Sequence, residues 1–304
     1  KTLIKNIKQL VQVEQSPRLR VCGADMAHID TIADAYLIVE DDHFLSFGTM
    51  DSLPDQTFDN IIDAAQGMVF PSFCDSHTHM VYAGSREIEY IDKIRGLSYD
   101  EIAKRGGGIL NSAKRVQEAS EEQLFDDALQ RLHLMASLGT GAVEIKSGYG
   151  MTTEAELKML RVVRRLKEAS PLTIKSTLLG AHGIPMEYRG CQEKFVDIVI
   201  NEMIPQAAAE GLADFIDVFC DEGFFTCHDT ERMLEAGARY GLRPKIHANE
   251  MACSGGIQVA VKHHALSCDH LEFTGDEEIA CLLHSDTMPT VLPGAAFFLN
   301  MQHA

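Results

Sequence analysis

Two histidines stand one residue apart in PSFCDSHTHMVYAGSREIEY, residues 71–90. On an extended strand residues i and i+2 face the same way, so His77 and His79 aim two imidazoles at one point. Neutral imidazole suits Zn, Fe and Ni. A catalytic metal site commonly takes three protein ligands and leaves a position open for water. His247, in RPKIHANE at residues 243–250, offers a third imidazole. A divalent ion held by the three would bring the pKa of a bound water from about 15.7 toward 7 and so make a hydroxide nucleophile. Glu250 follows His247 by three residues, close enough to act as a general acid and base without being a ligand. His270, beside Asp269 in SCDHLE, is placed either to take a proton from the water or to polarise a substrate. The competing reading of each residue alone is structural: a strand-end histidine held by backbone, or a carboxylate favoured by a helix dipole. What favours the metal is the joint pattern.

Arg86 comes seven residues after His79. With Tyr99, Tyr149 and His182 it can form a pocket for a carboxylate, the guanidinium as a bidentate fork and the tyrosines as hydroxyl donors. Such a pocket matters in this chain, whose 304 residues carry a net charge of −18. That charge repels phosphate backbones and argues against a nucleic-acid partner. A small anionic substrate would need a local cation such as Arg86.

These residues must be positioned by a scaffold, and the sequence supplies a regular one. Residues 1–66 are β-rich, with AYLIVEDDHFLSFGTM (35–50) reading as two short strands about Asp41 and Asp42. From residue 67 short apolar strands alternate with amphipathic helices. Seven strands are expected, in MVFPSFCDSHTH, GAVEIKSGYG, LTIKSTLLGAHG, DFIDVFCDEG, RPKIHANE, ALSCDHLEF and MPTVLPG, each but the last followed by a helix. Ser120 and Gln123 have the spacing of a capping box that opens a helix ending at Gly139. Pro171 stops the next helix. The alternation means a parallel sheet with helices outside. The strand ends carry His77 and His79, Lys146 and Tyr149, His182, Asp221 and Glu222, His247 and Glu250, and His270. Polar groups at the C-terminal ends of successive strands are the pattern of a (β/α)8 barrel's active face. No GxGxxG follows a strand, so a dinucleotide-binding sheet fits less well. RGGGIL, at 105–110, reads as a flexible loop over that face, and His263 and His264 read as solvated.

The eight cysteines include no CxxC pair, and the first residues lack the apolar core of a signal peptide. No run approaches the roughly 18 apolar residues of a membrane span. The expectation is a cytoplasmic protein with no membrane partner, whose cysteines are reduced and mostly buried.

IIDAAQGMVFPSFCDSHTH resembles the first barrel strand of the amidohydrolase superfamily. HTHMVYAGSREIEY, YDEIAKRGGGI, EIKSGYGM, LLGAHGIP, HANE, SCDHLE and TVLPGAAFFL extend the likeness from about residue 60 to 299. They resemble, within that superfamily, the hydrolases of a small cyclic amide bearing a propanoate arm. The resemblance implies a (β/α)8 TIM-like barrel over residues 67–304 and a small β-sandwich domain containing residues 1–66. It implies one Zn or Fe ion per chain on His77, His79 and His247. It makes Glu250 and His270 the catalytic pair, and Arg86, Tyr99, Tyr149 and His182 the contacts to the propanoate. A homodimer is an open expectation. Ser72 departs from the Gly that many relatives place after Pro. The family's fourth metal ligand, an Asp on the eighth strand, has no counterpart before Ala304. The chain is therefore expected to be the N-terminal part of a longer enzyme, ending before barrel strand 8. Three other readings compete. A nucleobase-type deaminase would share the histidines but not need the anion pocket. A dinuclear hydrolase would need a Lys on the fourth strand, which DFIDVFCDEG lacks. A non-catalytic metal-binding relative would not need Glu250 or His270.

Overall fold

The computed structural model describes residues 1–14, 16, 18–97, 101, 108–299 and 301. Two compact units divide it, Lys1–Phe73 and Cys74–Ala304.

The first unit is built on one long strand. β1 (Thr2–Val11) pairs antiparallel with β2 (Thr31–Glu40), and β2 with β3 (His43–Thr49). The tight turn between β2 and β3 falls on Asp41 and Asp42, with Asp41 at φ 53°, as the turn residues require. β4 (Asn60–Asp63) and β5 (Met68–Val69) both add parallel to β1 at different heights. Alternation along β2 sends Ala35 and Leu37 to a cluster with Ile7 and Leu10, and Tyr36 and Ile38 to a second cluster with Leu3. The described residues of this unit form one five-stranded sheet.

In the second unit, seven strands lie side by side in chain order: β6 (Phe73–Thr78), β7 (Thr140–Lys146), β8 (Thr173–Ala181), β9 (Phe215–Cys220), β10 (Arg243–Ala248), β11 (Ser267–His270) and β12 (Met288–Val291). The pairs from β7–β8 to β11–β12 are parallel. The sheet is strongly curled. β6 and β11 are five strand spacings apart, about 24 Å in a flat sheet, yet His77 Nδ1 on β6 is 2.7 Å from Asp269 Oδ2 on β11. Curling turns the C-terminal ends of the strands toward one another and makes a site possible there.

The apolar run before His77 is two strands, not one. Met68–Val69 joins β1, and only Phe73–Thr78 joins the large sheet, because Pro71 cannot donate to a ladder. The helix at Glu121–Ser137 starts on Ser120, whose Oγ accepts from the Gln123 N–H at 3.1 Å, so one half of the capping box is present. It stops at Gly139, at φ 98°. Among the described residues, three helices are additional to those expected: Glu87–Ile94, Ile109–Glu118 and Pro293–Leu299, the last following β12. Ile109 and Leu110 of RGGGIL are thus helical, capped by Gly108, while Arg105, Gly106 and Gly107 lie outside the described residues. Of the cysteines, Cys220 and Cys268 alone are buried, while Cys22, Cys74 and Cys253 are exposed, against the expectation of mostly buried thiols. Among the described residues no helix is long and apolar enough to cross a membrane.

Candidate active site

Four strand ends bring five histidines together. The His77 ring centroid lies 5.5 Å from His79, 4.5 Å from His247 and 5.3 Å from His270. His182, just past β8, stacks on His79 at 4.7 Å with 13° between the ring planes. One ligand atom from each of His77, His79 and His247 falls within 4.8 Å of the others. The donors suit a metal. His77 Nδ1 is taken by Asp269 and His247 Nδ1 lies 2.9 Å from Asp217 Oδ2, which leaves the Nε2 atoms for an ion. Both ring nitrogens of His247 and Nδ1 of His79 are buried with no hydrogen bond among the described residues, the Asp217 contact being one of distance alone. Burial, joined by neighbouring positive charge from Lys146, holds His77 well below its usual pKa. Burial likewise lowers His79 and His247, so all three stand as neutral imidazoles, the form that binds a metal.

Glu250 sits beside this cluster in the loop after β10. Asp221, from the end of β9, holds that loop: its Oδ2 accepts from the Glu250 and Met251 N–H groups at 2.7 and 2.9 Å. Glu250 Oε2 is 3.5 Å from His270 Nδ1, and Glu272 Oε2 is 3.8 Å from the same atom. Burial raises the Glu250 pKa. Burial would lower that of His270, but Glu272 and Glu250 beside it raise it overall. A histidine biased toward its cation is a better donor than base. His270 also adopts φ 89°, and Leu271 φ 70°, strain that the surrounding structure must sustain.

Tyr149 and His182 face the histidines from the side. Tyr149 is 5.3 Å from His79 and 5.2 Å from His182, between ring centroids. Arg86 acts electrostatically on Tyr149, and its Nε donates to Glu89 Oε2 at 2.9 Å. Tyr99 lies outside the described residues. His263 is half-buried rather than fully solvated, while His264 is exposed.

Comparisons with known proteins bear on the family. No family model matches the chain. The imidazolonepropionase of Christiangramia forsetii is 51% identical over 301 residues, covering 99% of this chain and 73% of the relative. That of Flavobacterium johnsoniae is 50% identical over 302 residues, covering 99% and 74%. The chain belongs to the imidazolonepropionase family. Members of the imidazolonepropionase family are hydrolases that open a cyclic amide at a C–N bond. Among solved structures, guanine deaminase from C. acetobutylicum with bound guanine matches at TM-score 0.63 and 13% identity, covering 99% of this chain and 70% of that one. Identity that low speaks for the fold alone.

Buried carboxylates organise this imidazolonepropionase-family site, and three of them, Glu144, Asp217 and Glu156, have no role in the sequence analysis. Asp217, Glu144 and Asp269 are buried beneath the imidazoles, and Asp221 and Glu156 hold the flanking loops. Lys146, expected as a strand-end group of the active face, lies fully buried among three of them. A signal was available. Charged residues inside apolar parallel strands, as in AVEIK, FIDVFC and RPKIH, are rarely buried without partners. Period-two alternation also puts Glu144 and Lys146 on one face.

Proposed function

We propose that His77, His79 and His247 hold one divalent ion, zinc or iron, and that the site hydrolyses 4-imidazolone-5-propanoate to N-formimino-L-glutamate in histidine degradation. Water adds to the ring carbonyl, the bond from that carbon to the ring nitrogen breaks, and the carbon becomes a carboxylate. The observation that carries the reading is the convergence of three neutral imidazoles beside Glu250 and His270. An ion in that position acidifies water and polarises a carbonyl as a Lewis acid. Glu250, whose raised pKa brings it nearer neutrality, accepts a proton from the attacking water and returns it to the leaving nitrogen. His270 orients Glu250 and donates toward the developing negative charge. Arg86, Tyr149, His182 and Tyr99 bind the propanoate, with the neutral His182 as a hydrogen-bonding wall rather than a second charge.

We further infer that the curled sheet comprises the first seven strands of a (β/α)8 barrel, with residues 1–66 belonging to a small β domain. The family's eighth strand would then supply the fourth metal ligand, an Asp. The test is elemental analysis joined to turnover. About one Zn or Fe per chain is expected in the parent protein, and His77→Ala should lose metal and activity together. No transition metal, or two ions per chain, would refute the site as drawn.

A further inference from the structure

Beneath the imidazoles lies a charged cluster that the proposed chemistry does not use. Lys146 Nζ, on β7, is 2.8 Å from Glu144 Oε1, 2.8 Å from Asp217 Oδ2 on β9 and 3.7 Å from Asp269 Oδ2 on β11. Both aspartates reach onward. Asp217 accepts the His247 N–H on Oδ1 at 3.1 Å and faces His247 Nδ1 with Oδ2 at 2.9 Å. Asp269 Oδ2 is 2.7 Å from His77 Nδ1. One ammonium on β7 therefore touches the carboxylates that face the rings of β10 and β6. Lys245 Nζ, 3.6 Å from Asp269, completes the cluster, whose two ammonium groups and three carboxylates sum to a formal −1.

We propose that Lys146 is a positioning residue: by bridging Asp217 and Asp269 it fixes the His77 and His247 rings together, so that both present Nε2 to one point. This rests on reading the three histidines as a metal site. The physical reason is the placement of the aspartates between Lys146 and the two rings. An ionised carboxylate accepts from an imidazole Nδ1–H and so leaves Nε2 with its lone pair. Lys146 Nζ is the cation that lies between these two buried carboxylates and draws both toward itself. Without Lys146 the two carboxylates lose the ammonium that both face, and neither side chain is held in place against the other. The two rings then lose their common anchor even though no ligand atom has been removed.

The experiment uses the full-length protein, stripped of metal and titrated with Zn2+ against a chromophoric chelator, then with Co2+ for its absorption spectrum. Two variants are compared with the parent. Lys146→Met removes the bridge. The double variant Lys146→Met with Glu144→Gln removes it while keeping the formal charge at −1. Both should bind Zn2+ about 10- to 100-fold more weakly, and both should show a shifted Co2+ spectrum at saturation, which a merely structural role would not produce. Parent-like affinity and spectrum in either variant, even with a lower melting temperature, would overturn the proposal. In the double variant, that result would mean charge balance alone matters. Failure of both variants to fold at any Zn2+ concentration would assign Lys146 to the fold and overturn it as well. A parent that binds no ion would instead refute the metal reading beneath it.

Discussion

His182 Nδ1 faces the Gly148 carbonyl at 3.2 Å while its ring lies flat on His79. The contact ties the β8 end to the loop after β7, and it depends on a missing side chain. Gly148 has φ 113°, and a Cβ there would come within 2.9 Å of His182 Nδ1. Gly148→Ala is expected to push the imidazole off His79 and raise KM for the propanoate substrate by about ten-fold or more, the loss of one hydrogen bond to a charged group. Metal content should stay at the parent level. His182 itself is driven by burial to a pKa of about 3, so it stays neutral through the working range. His182→Gln should therefore leave the pH profile of kcat/KM unshifted between pH 6 and 8. A profile that lost a limb in that range would give His182 a proton-transfer role instead.

Glu156 holds the same loop from below. It is fully buried, and it accepts the Gly148, Gly150 and Met151 N–H groups at 2.8, 2.7 and 2.8 Å. Three backbone donors without a partner cost about 1–3 kcal/mol each. Glu156→Ala is expected to lower stability by at least about 3 kcal/mol and to raise KM through misplacement of Tyr149. Urea unfolding and steady-state kinetics check both. Parent-like stability would mean that water replaces the carboxylate.

The sequence made His77, His79, His247, Glu250 and His270 legible because strand periodicity and short spacings put them on a common face. Six of the seven strands of the large sheet fall inside their expected segments, and β7 starts one residue earlier, at Thr140. The partners of the carboxylates were hidden for a physical reason. Asp217 meets Lys146 from 71 residues away and Asp269 meets His77 from 192, and no local pattern encodes either pairing. The helix at Glu87–Ile94 was hidden differently: Tyr90, Ile91 and Ile94 are exposed while Glu89 and Asp92 are buried, so its burial runs against its apolar pattern.

Away from the site, Asp214 gives a pH test of the fold. Its carboxylate accepts from Lys167 at 2.9 Å, Lys175 at 3.3 Å and the Ser176 N–H at 2.9 Å. Burial opposes ionisation, but these partners outweigh it and bring the pKa from 3.8 to about 2. A depressed carboxylate contributes stability that is complete above its unfolded pKa and is lost as pH falls through the folded one. The shift corresponds to about 2 kcal/mol unscreened, and solvent at this partly exposed cluster reduces it to about 1 kcal/mol. Asp214→Asn should be less stable than the parent by that amount at pH 6, and by roughly half of it at pH 3. An equal gap at both pH values would show that the amide disturbs packing rather than charge.

Glu250→Gln tests the chemistry most directly. The amide keeps the shape of the side chain, and Asp221 still holds the loop because it grips the backbone N–H groups of residues 250 and 251. What the substitution removes is the capacity to take up and return a proton. Loss of a positioned acid or base costs about 10²–10⁴ in rate. The variant is expected to keep its metal and its KM while kcat falls on that scale. His270→Ala should fall less, because a group that orients Glu250 and donates to developing charge leaves the proton carrier in place. Metal analysis paired with single-turnover rates separates the two. Near-parent turnover by Glu250→Gln with its metal bound would move the proton transfer to His270, and His270→Ala would then show the larger loss.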